Sequence, residues 1–227
     1  MGNDKKSGAL TDKVRVINKI LDDQAYRGPD ARGIWTDDSN KAVFGHNRLS
    51  IVELSEAGSQ PMASNDGRWV ISYNGELYNY KDLRERLKKK FGVSFRGNSD
   101  TEVFLYGFIY FGVDEFLRLA DGMFAAAIFD KKNKQLFLVR DRVGEKPLFY
   151  FINSEGIFFA SELKSIAKNV AESVQASASG LQLYTILRYI PAPLTILDGF
   201  YKLQPGHYIC HESNSGVVRQ IPYFSWD

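Results

Sequence analysis

Hydrophobic and polar positions recur along this chain with two periods, and each period predicts one kind of element. Apolar residues at positions 14, 17, 20, 21 and 25 recur at helical spacing after Thr11, a candidate N-cap. The same spacing predicts further helices at residues 80–91, 100–109, 113–119 and 162–168. Ser99 or Asp100 is expected to cap the helix at 100–109, and Ser161 the helix at 162–168. Alternating or β-branched runs predict strands at residues 33–36, 41–46, 49–54, 68–73, 124–130, 135–140, 148–152, 156–160, 206–211 and 216–221.

The predicted strands are linked mostly as hairpins, and the predicted helices form separate groups. This order favours an α+β layered sandwich over a chain of alternating βαβ units. Residues after about 170 are first polar and rich in small side chains and then interrupted by prolines. They are the best candidate for a connecting segment.

Residues 68–79 are the stretch on which the predicted site depends. Trp69, Ile71 and Tyr73 alternate with smaller side chains, which predicts a buried strand. The dipeptide Asn74-Gly75 favours a sharp turn that leaves the Gly75 N–H and the Asn74 carboxamide pointing outward together. Two neutral donors at the end of a strand suit the oxyanion of an attacked carbonyl group. An ordinary hairpin turn is the alternative that the dipeptide leaves open.

Composition excludes several classes of function. Lys and Arg number 29 against 27 Asp and Glu, so neither nucleic acid nor a membrane surface is an expected partner. Neither a transmembrane run nor a signal peptide is recognisable, and we expect a cytoplasmic protein. The one cysteine, Cys210, and three histidines argue against a disulfide framework and a metal site.

Four points of the chain carry complementary chemistry. The guanidinium of Arg48 can hold a carboxylate in bidentate fashion. Glu76 and Asp100 are acceptors that can hold an ammonium group. Together with the donors of Asn74 and Gly75, they describe a pocket for a free amino acid with a side-chain amide, which is glutamine.

Seven ordered motifs resemble the class II glutamine amidotransferase domain, in particular that of glutamine-hydrolysing asparagine synthetases. The likeness is dense over residues 11–168 and thinner in the tail. The motifs are Arg27-Gly28-Pro29-Asp30, Arg48-Leu49-Ser50-Ile51-Val52, Gln60-Pro61-Met62, Asn74-Gly75-Glu76-Leu77-Tyr78-Asn79, Ser99-Asp100-Thr101-Glu102, Asp121-Gly122-Met123-Phe124-Ala125 and residues 140–148.

The resemblance implies an N-terminal-nucleophile fold, a four-layer αββα sandwich of two antiparallel sheets flanked by helices. Residues 1–168 would be the glutaminase-like domain, and residues 169–227 would extend the same lobe and begin the link to a synthetase domain. Asn74 and Gly75 would form the oxyanion hole. The substrate-binding set would be Arg48, Leu49, Ile51, Val52, Glu76 and Asp100, while residues 27–30 and 141–147 would shape the surrounding loops.

Two departures from the family bear on activity. The family begins Met-Cys-Gly-Ile, whereas this sequence begins Met1-Gly2-Asn3-Asp4, so the nucleophilic cysteine and the first strand are expected to be absent. An exposed sheet edge or groove is expected in their place. Residues 1–227 contain no recognisable pyrophosphate-binding loop, so ATP and Mg²⁺ are expected to be bound by a synthetase domain in cis or in trans. The chain itself would need no cofactor and would not hydrolyse glutamine as written.

Three hypotheses follow from these departures. The first is the glutaminase part of an asparagine-synthetase-like enzyme, as a fragment or from a start codon placed too late. It would release ammonia for the amidation of aspartate or a related acceptor. The second is a catalytically inactive module that binds glutamine or docks on a synthetase partner. The third is a remnant without a ligand. A homodimer is left open.

Overall fold

The computed structural model describes residues 3–39, 41–50, 53, 55–212, 216 and 218–225, with residues 3–11 described by their backbone alone. The helices are α1 (Asn3–Asp23), α2 (Tyr80–Phe91), α3 (Asp100–Phe111), α4 (Val113–Leu119), α5 (Leu163–Val170) and α6 (Ala178–Leu187). The strands are β1 (Ala31–Thr36), β2 (Val43–Arg48), β3 (Met62–Ala63), β4 (Trp69–Leu77), β5 (Gly122–Asp130), β6 (Gln135–Arg140), β7 (Phe149–Asn153), β8 (Gly156–Ala160), β9 (Phe200–Lys202), β10 (His207–Glu212) and β11 (Val218–Pro222).

The strands form one large and two small antiparallel sheets. The large sheet has six strands in the order β11-β10-β6-β5-β4-β3. The β1–β2 hairpin and the three-stranded sheet β8-β7-β9 make up the second layer. The strands β9 and β10 thus tie the tail of the chain into both layers.

Side-chain alternation along the central strands separates two cores. Ile71 and Tyr73 of β4 pack with α2, α3 and α4 on one face of the large sheet. Val70 and its β5 neighbours Ala127 and Phe129 face the second layer, where they meet Phe44 of β2 and strands β7 and β8. On the outer side of the second layer, α5 packs on β7 and β8, and α1 packs on β2 and α5. The order helix, sheet, sheet, helix confirms the predicted αββα sandwich.

The predicted sharp turn at Asn74-Gly75 is wrong. Strand β4 runs straight through both residues to Leu77 and pairs with β5 along its whole length. Glycine is required here by the neighbouring strand, because a Cβ on Gly75 would overlap the carbonyl oxygen of Met123. Pairing with β5 therefore overrides the turn preference of the dipeptide.

Other boundaries also differ from the sequence predictions. Helix α1 begins at Asn3 rather than near Thr11. The predicted strand at 49–54 is not formed at 49, 50 or 53, the positions of that run that are described, because β2 ends at Arg48 and the Ser50 N–H donates to Asp30 Oδ2 at 2.7 Å. Residues 51, 52 and 54 lie outside the described residues.

Helix starts were predicted with mixed success. Of the two predicted caps of α3, Ser99 and Asp100, the structure has Ser99, whose Oγ accepts from the Thr101 N–H at 3.1 Å. Ser161 was the predicted cap of α5, and this is wrong, because Glu162 occupies the N-cap position without a side-chain cap bond. In the part of the chain that the structure describes, no helix combines the length and the apolar character needed to cross a membrane.

Candidate functional site

A cavity of about 970 Å³ lies between the large sheet and the second layer. Residues of β2, β4, β5, β8 and α1 line it. Among the described residues, β2 pairs only with β1 and β8 only with β7, so two strand edges without a partner border the same space. This agrees with the groove expected from the sequence.

Six of the eight predicted site residues line this single cavity. They come from three separate stretches of the chain, which shows that the fold brings the motifs together. The six are Arg48, Leu49, Asn74, Gly75, Glu76 and Asp100. Ile51 and Val52 lie outside the described residues.

The outer edge of β4 leaves one backbone amide available beside the cavity. Alternate backbone amides of a strand point to the same side. The Tyr73 N–H donates to Gln60 Oε1 at 2.6 Å, and the Leu77 N–H donates to Asp100 Oδ2 at 2.9 Å. The Gly75 N–H lies between them on the same edge, where no described residue accepts from it. Gln60 and Asp100 thus pair with the amides on either side and leave the Gly75 N–H available to a ligand.

Asp100 and Glu76 form the acidic side of the cavity. Asp100 is buried at the first turn of α3 and accepts hydrogen bonds from the backbone of Leu77 and Thr101. Burial raises the pKa of Asp100 above its ordinary value, and the nearby charge of Glu76 adds to the increase. A cationic group placed between the two carboxylates would relieve both effects.

Arg48 occupies the end of β2, where a loop fixes its backbone. The Asp30 N–H donates to the Arg48 carbonyl oxygen at 3.0 Å, and a Cβ on Gly28 would overlap the backbone of Asn47. Its guanidinium donates through Nη1 to the Ser55 carbonyl oxygen at 3.1 Å and through Nη2 to that of Glu53. A guanidinium has five N–H groups, so donors remain for a carboxylate ligand.

A second loop is ordered around the carboxylate of Asp141. This buried side chain accepts hydrogen bonds from five backbone N–H groups, at Phe124 and at residues 143–146. The guanidinium of Arg140 donates to three backbone carbonyl oxygens, among them those of Gly144 and Lys146. In both loops, at 27–30 and at 141–147, the motif residues therefore shape the backbone.

Two features of the cavity wall were missed by the sequence analysis. His46 Nδ1 lies 3.1 Å from Ser72 Oγ, which joins β2 to β4 across the cavity. Gln60 closes part of the β4 edge, as its Nε2 also donates to the Tyr73 carbonyl oxygen at 3.1 Å. Both contacts join residues far apart in sequence. The sequence held one signal for them, the presence of Gln60 in the motif Gln60-Pro61-Met62, and no signal for the contact between His46 and Ser72.

Cys210 lies away from the cavity. It is a buried residue of β10 and belongs to the core between the large sheet and α2, α3 and α4, on the opposite face from the cavity. Burial raises the pKa of its thiol. A thiol packed in a core in this way fills space.

The chain matches the family model of the glutamine amidotransferase domain over residues 5–224. It belongs to this family. A putative glutamine-hydrolyzing asparagine synthetase of Methanocaldococcus jannaschii is 34% identical over 93% of this chain and 43% of its own length. Asparagine synthetase 3 of Bacillus subtilis is 36% identical over 87% of the chain and 32% of its own length. The amidase chry2 of Gibberella zeae is 34% identical over 97% of the chain and 31% of its own length.

This amidotransferase domain spans less than half the length of each of those relatives. Among solved structures, glutamine phosphoribosylpyrophosphate amidotransferase from B. subtilis superposes with a TM-score of 0.55 at 18% identity, covering 82% of this chain and 35% of that one. The likeness concerns the fold, and it agrees with the predicted N-terminal-nucleophile sandwich. The predicted membership of the glutamine amidotransferases is confirmed.

Proposed function

We propose that the cavity binds glutamine and that this chain is the glutaminase part of an asparagine-synthetase-like amidotransferase. The observation that carries the proposal is the convergence of three kinds of group on one cavity. These are the guanidinium of Arg48, the carboxylates of Glu76 and Asp100, and the Gly75 N–H with the Asn74 carboxamide. A free amino acid with a side-chain amide is the ligand that satisfies all of them.

In this arrangement each subsite meets one group of glutamine. Arg48 would hold the α-carboxylate, and Glu76 with Asp100 would hold the α-ammonium group. The side-chain carbonyl oxygen would face the Gly75 N–H and the Asn74 carboxamide, which would stabilise the negative charge that develops when a nucleophile attacks. Leu49, Ile51 and Val52 are proposed to complete the substrate-binding loop.

We propose that the nucleophile is the cysteine of a strand lying between the open edges of β2 and β8. The thiolate would attack the amide carbon to give a thioester and ammonia, and water would then release glutamate. Residues 1–227 carry one cysteine, and Cys210 faces the other core. Residues 1–227 alone are therefore expected to bind glutamine without hydrolysing it.

The ammonia would pass to a synthetase domain in cis or in trans. ATP and Mg²⁺ would be bound by that domain, and aspartate or a related molecule would be the acceptor. Helix α6 and the segment just after it expose large apolar side chains, with Ile186 76% and Tyr189 61% exposed. Exposed apolar surface of this kind is typical of an interface, and we propose that it contacts the synthetase domain.

Calorimetry with glutamine tests the binding proposal. We expect saturable binding to the wild-type chain and loss of at least tenfold in affinity for Arg48→Ala, since a charged hydrogen bond contributes about 1.5–3 kcal/mol. Arg32→Ala is the matched control, because Arg32 lies on the same hairpin but pairs with Asp22 outside the cavity. Equal affinities for the two variants would contradict the assignment of Arg48.

A second experiment separates the glutaminase from an inactive glutamine-binding module. Adding a strand that begins Met-Cys-Gly-Ile ahead of this sequence should give glutamate release, and changing its cysteine to alanine should abolish it. Glutamine binding without hydrolysis in the extended protein would favour the inactive module. One observation already favours that alternative, since no cysteine is found among the described residues that line the cavity. Absence of glutamine binding in every form would leave only a remnant.

A further inference from the structure

Strands β2 and β4 belong to different layers, yet each presents a site residue and a second polar residue on the same face. Side chains two positions apart on a strand share a face, so His46 accompanies Arg48 on β2, and Ser72 accompanies Asn74 on β4. All four line the cavity. The 3.1 Å contact between His46 Nδ1 and Ser72 Oγ joins the two pairs.

The β5 residues opposite Ser72 and Asn74 are Ala127 and Ala125, which are buried in the apolar core between the layers. Their side chains are short and apolar, so neither can form a hydrogen bond across to β2. Apolar contact is also non-directional, whereas a hydrogen bond fixes a distance. The Ser72 hydroxyl additionally lies within 3.5 Å of the Gly45 carbonyl oxygen, its second contact with β2.

We infer that His46 and Ser72 are positioning residues that set the spacing between Arg48 and Asn74, and thereby the length of amino acid that the cavity accepts. The inference rests on the proposed function. Glutamine and asparagine carry the same end groups and differ by one methylene between the α-carbon and the amide. A fixed spacing between the carboxylate site and the amide site therefore selects one of them.

The imidazole of His46 is suited to this role because it is uncharged. Burial, aided by the charge of Arg48, lowers its pKa from 6.5 to about 4. At neutral pH the ring thus hydrogen-bonds Ser72 without repelling the Arg48 guanidinium, which stays available for a carboxylate.

The experiment compares glutamine and asparagine affinities by calorimetry. One methylene is worth about 10–200-fold in discrimination, and we expect the wild-type chain and Ser161→Ala to prefer glutamine by at least tenfold. Ser161 is the matched control because it lines the same cavity but follows β8, away from the bond between His46 and Ser72. In Ser72→Ala the preference should fall to about threefold or less, and Ser72→Thr, which keeps the hydroxyl, should restore it.

His46→Gln provides an independent check, since it removes the Nδ1 position but keeps a polar side chain. It should lose glutamine preference as Ser72→Ala does, and the double variant should lose no more than Ser72→Ala alone, because both changes break the bond between His46 and Ser72. A wild-type preference retained in Ser72→Ala, or additive losses in the double variant, would overturn this inference alone. A wild-type chain that binds neither amino acid would overturn the proposed function and the inference with it.

Discussion

Gln60 acts as a one-residue substitute for a neighbouring strand at the edge of β4. Its side-chain amide accepts from the Tyr73 N–H at 2.6 Å and donates to the Tyr73 carbonyl oxygen at 3.1 Å. Gln60→Glu keeps the size and the acceptor but removes the donor. One hydrogen bond, worth about 1 kcal/mol, is lost, and leaving a carbonyl oxygen unpaired costs about 1–2 kcal/mol more.

We therefore expect Gln60→Glu to lower the free energy of unfolding by about 2–3 kcal/mol at pH 7, measured by urea denaturation. The loss should shrink as the pH falls toward about 4.5, because the introduced carboxyl, when protonated, can donate again. Gln182→Glu on the exposed surface of α6 is the control and should change stability by less than about 0.5 kcal/mol. Equal effects of the two changes, or no recovery at low pH, would refute this account of Gln60.

Three further changes test other parts of the structure. His46, with its pKa lowered from 6.5 to about 4, stays unprotonated in the folded state while the unfolded chain takes up a proton below pH 6.5. Stability should thus fall by about 2 kcal/mol between pH 7 and pH 5, and calorimetric unfolding of His46→Gln should lack this component. Asp141→Asn replaces an acceptor of five backbone N–H groups and should lower urea-unfolding stability by about 2–4 kcal/mol. Arg68→Ala removes the bidentate partner of the buried carboxylate of Asp130, which keeps its bonds from the Lys132 N–H and the Asn133 side chain. It should cost about 1.5–3 kcal/mol, seen as a lower thermal midpoint, with Arg32→Ala nearly neutral as the surface control.

Local pattern was sufficient to predict most elements but not their extent. The alternation of residues 69–73 predicts β4, yet the continuation of the strand through Gly75 depends on pairing with β5, some fifty residues away in sequence. Strands β3 and β9 span two and three residues, too few for alternation to be recognised. The pairing partner of a strand is a non-local property, and propensity does not carry it.

The candidate site was likewise predictable only in part from the sequence. Arg48, Asn74 and Asp100 could be named from their chemistry and from the family motifs, and the structure places them on one cavity. The contact between His46 and Ser72 could not be predicted, because it links residues 26 positions apart in two different layers. Sequence motifs thus identify the groups that would touch a ligand, while the contacts that hold those groups apart arise only from the packing of the layers.

The most direct test of the account is a nuclear magnetic resonance titration of the ¹⁵N-labelled chain with glutamine. Among the described residues nothing accepts from the Gly75 N–H on the cavity edge of β4, whereas the amides of Tyr73 and Leu77 donate to Gln60 and Asp100. We predict that the Gly75 N–H and Asn74 carboxamide signals move saturably with glutamine, and much less with norvaline, which lacks the side-chain amide. Signals of Gly75 and Asn74 that stay unchanged at saturating glutamine would contradict the central claim.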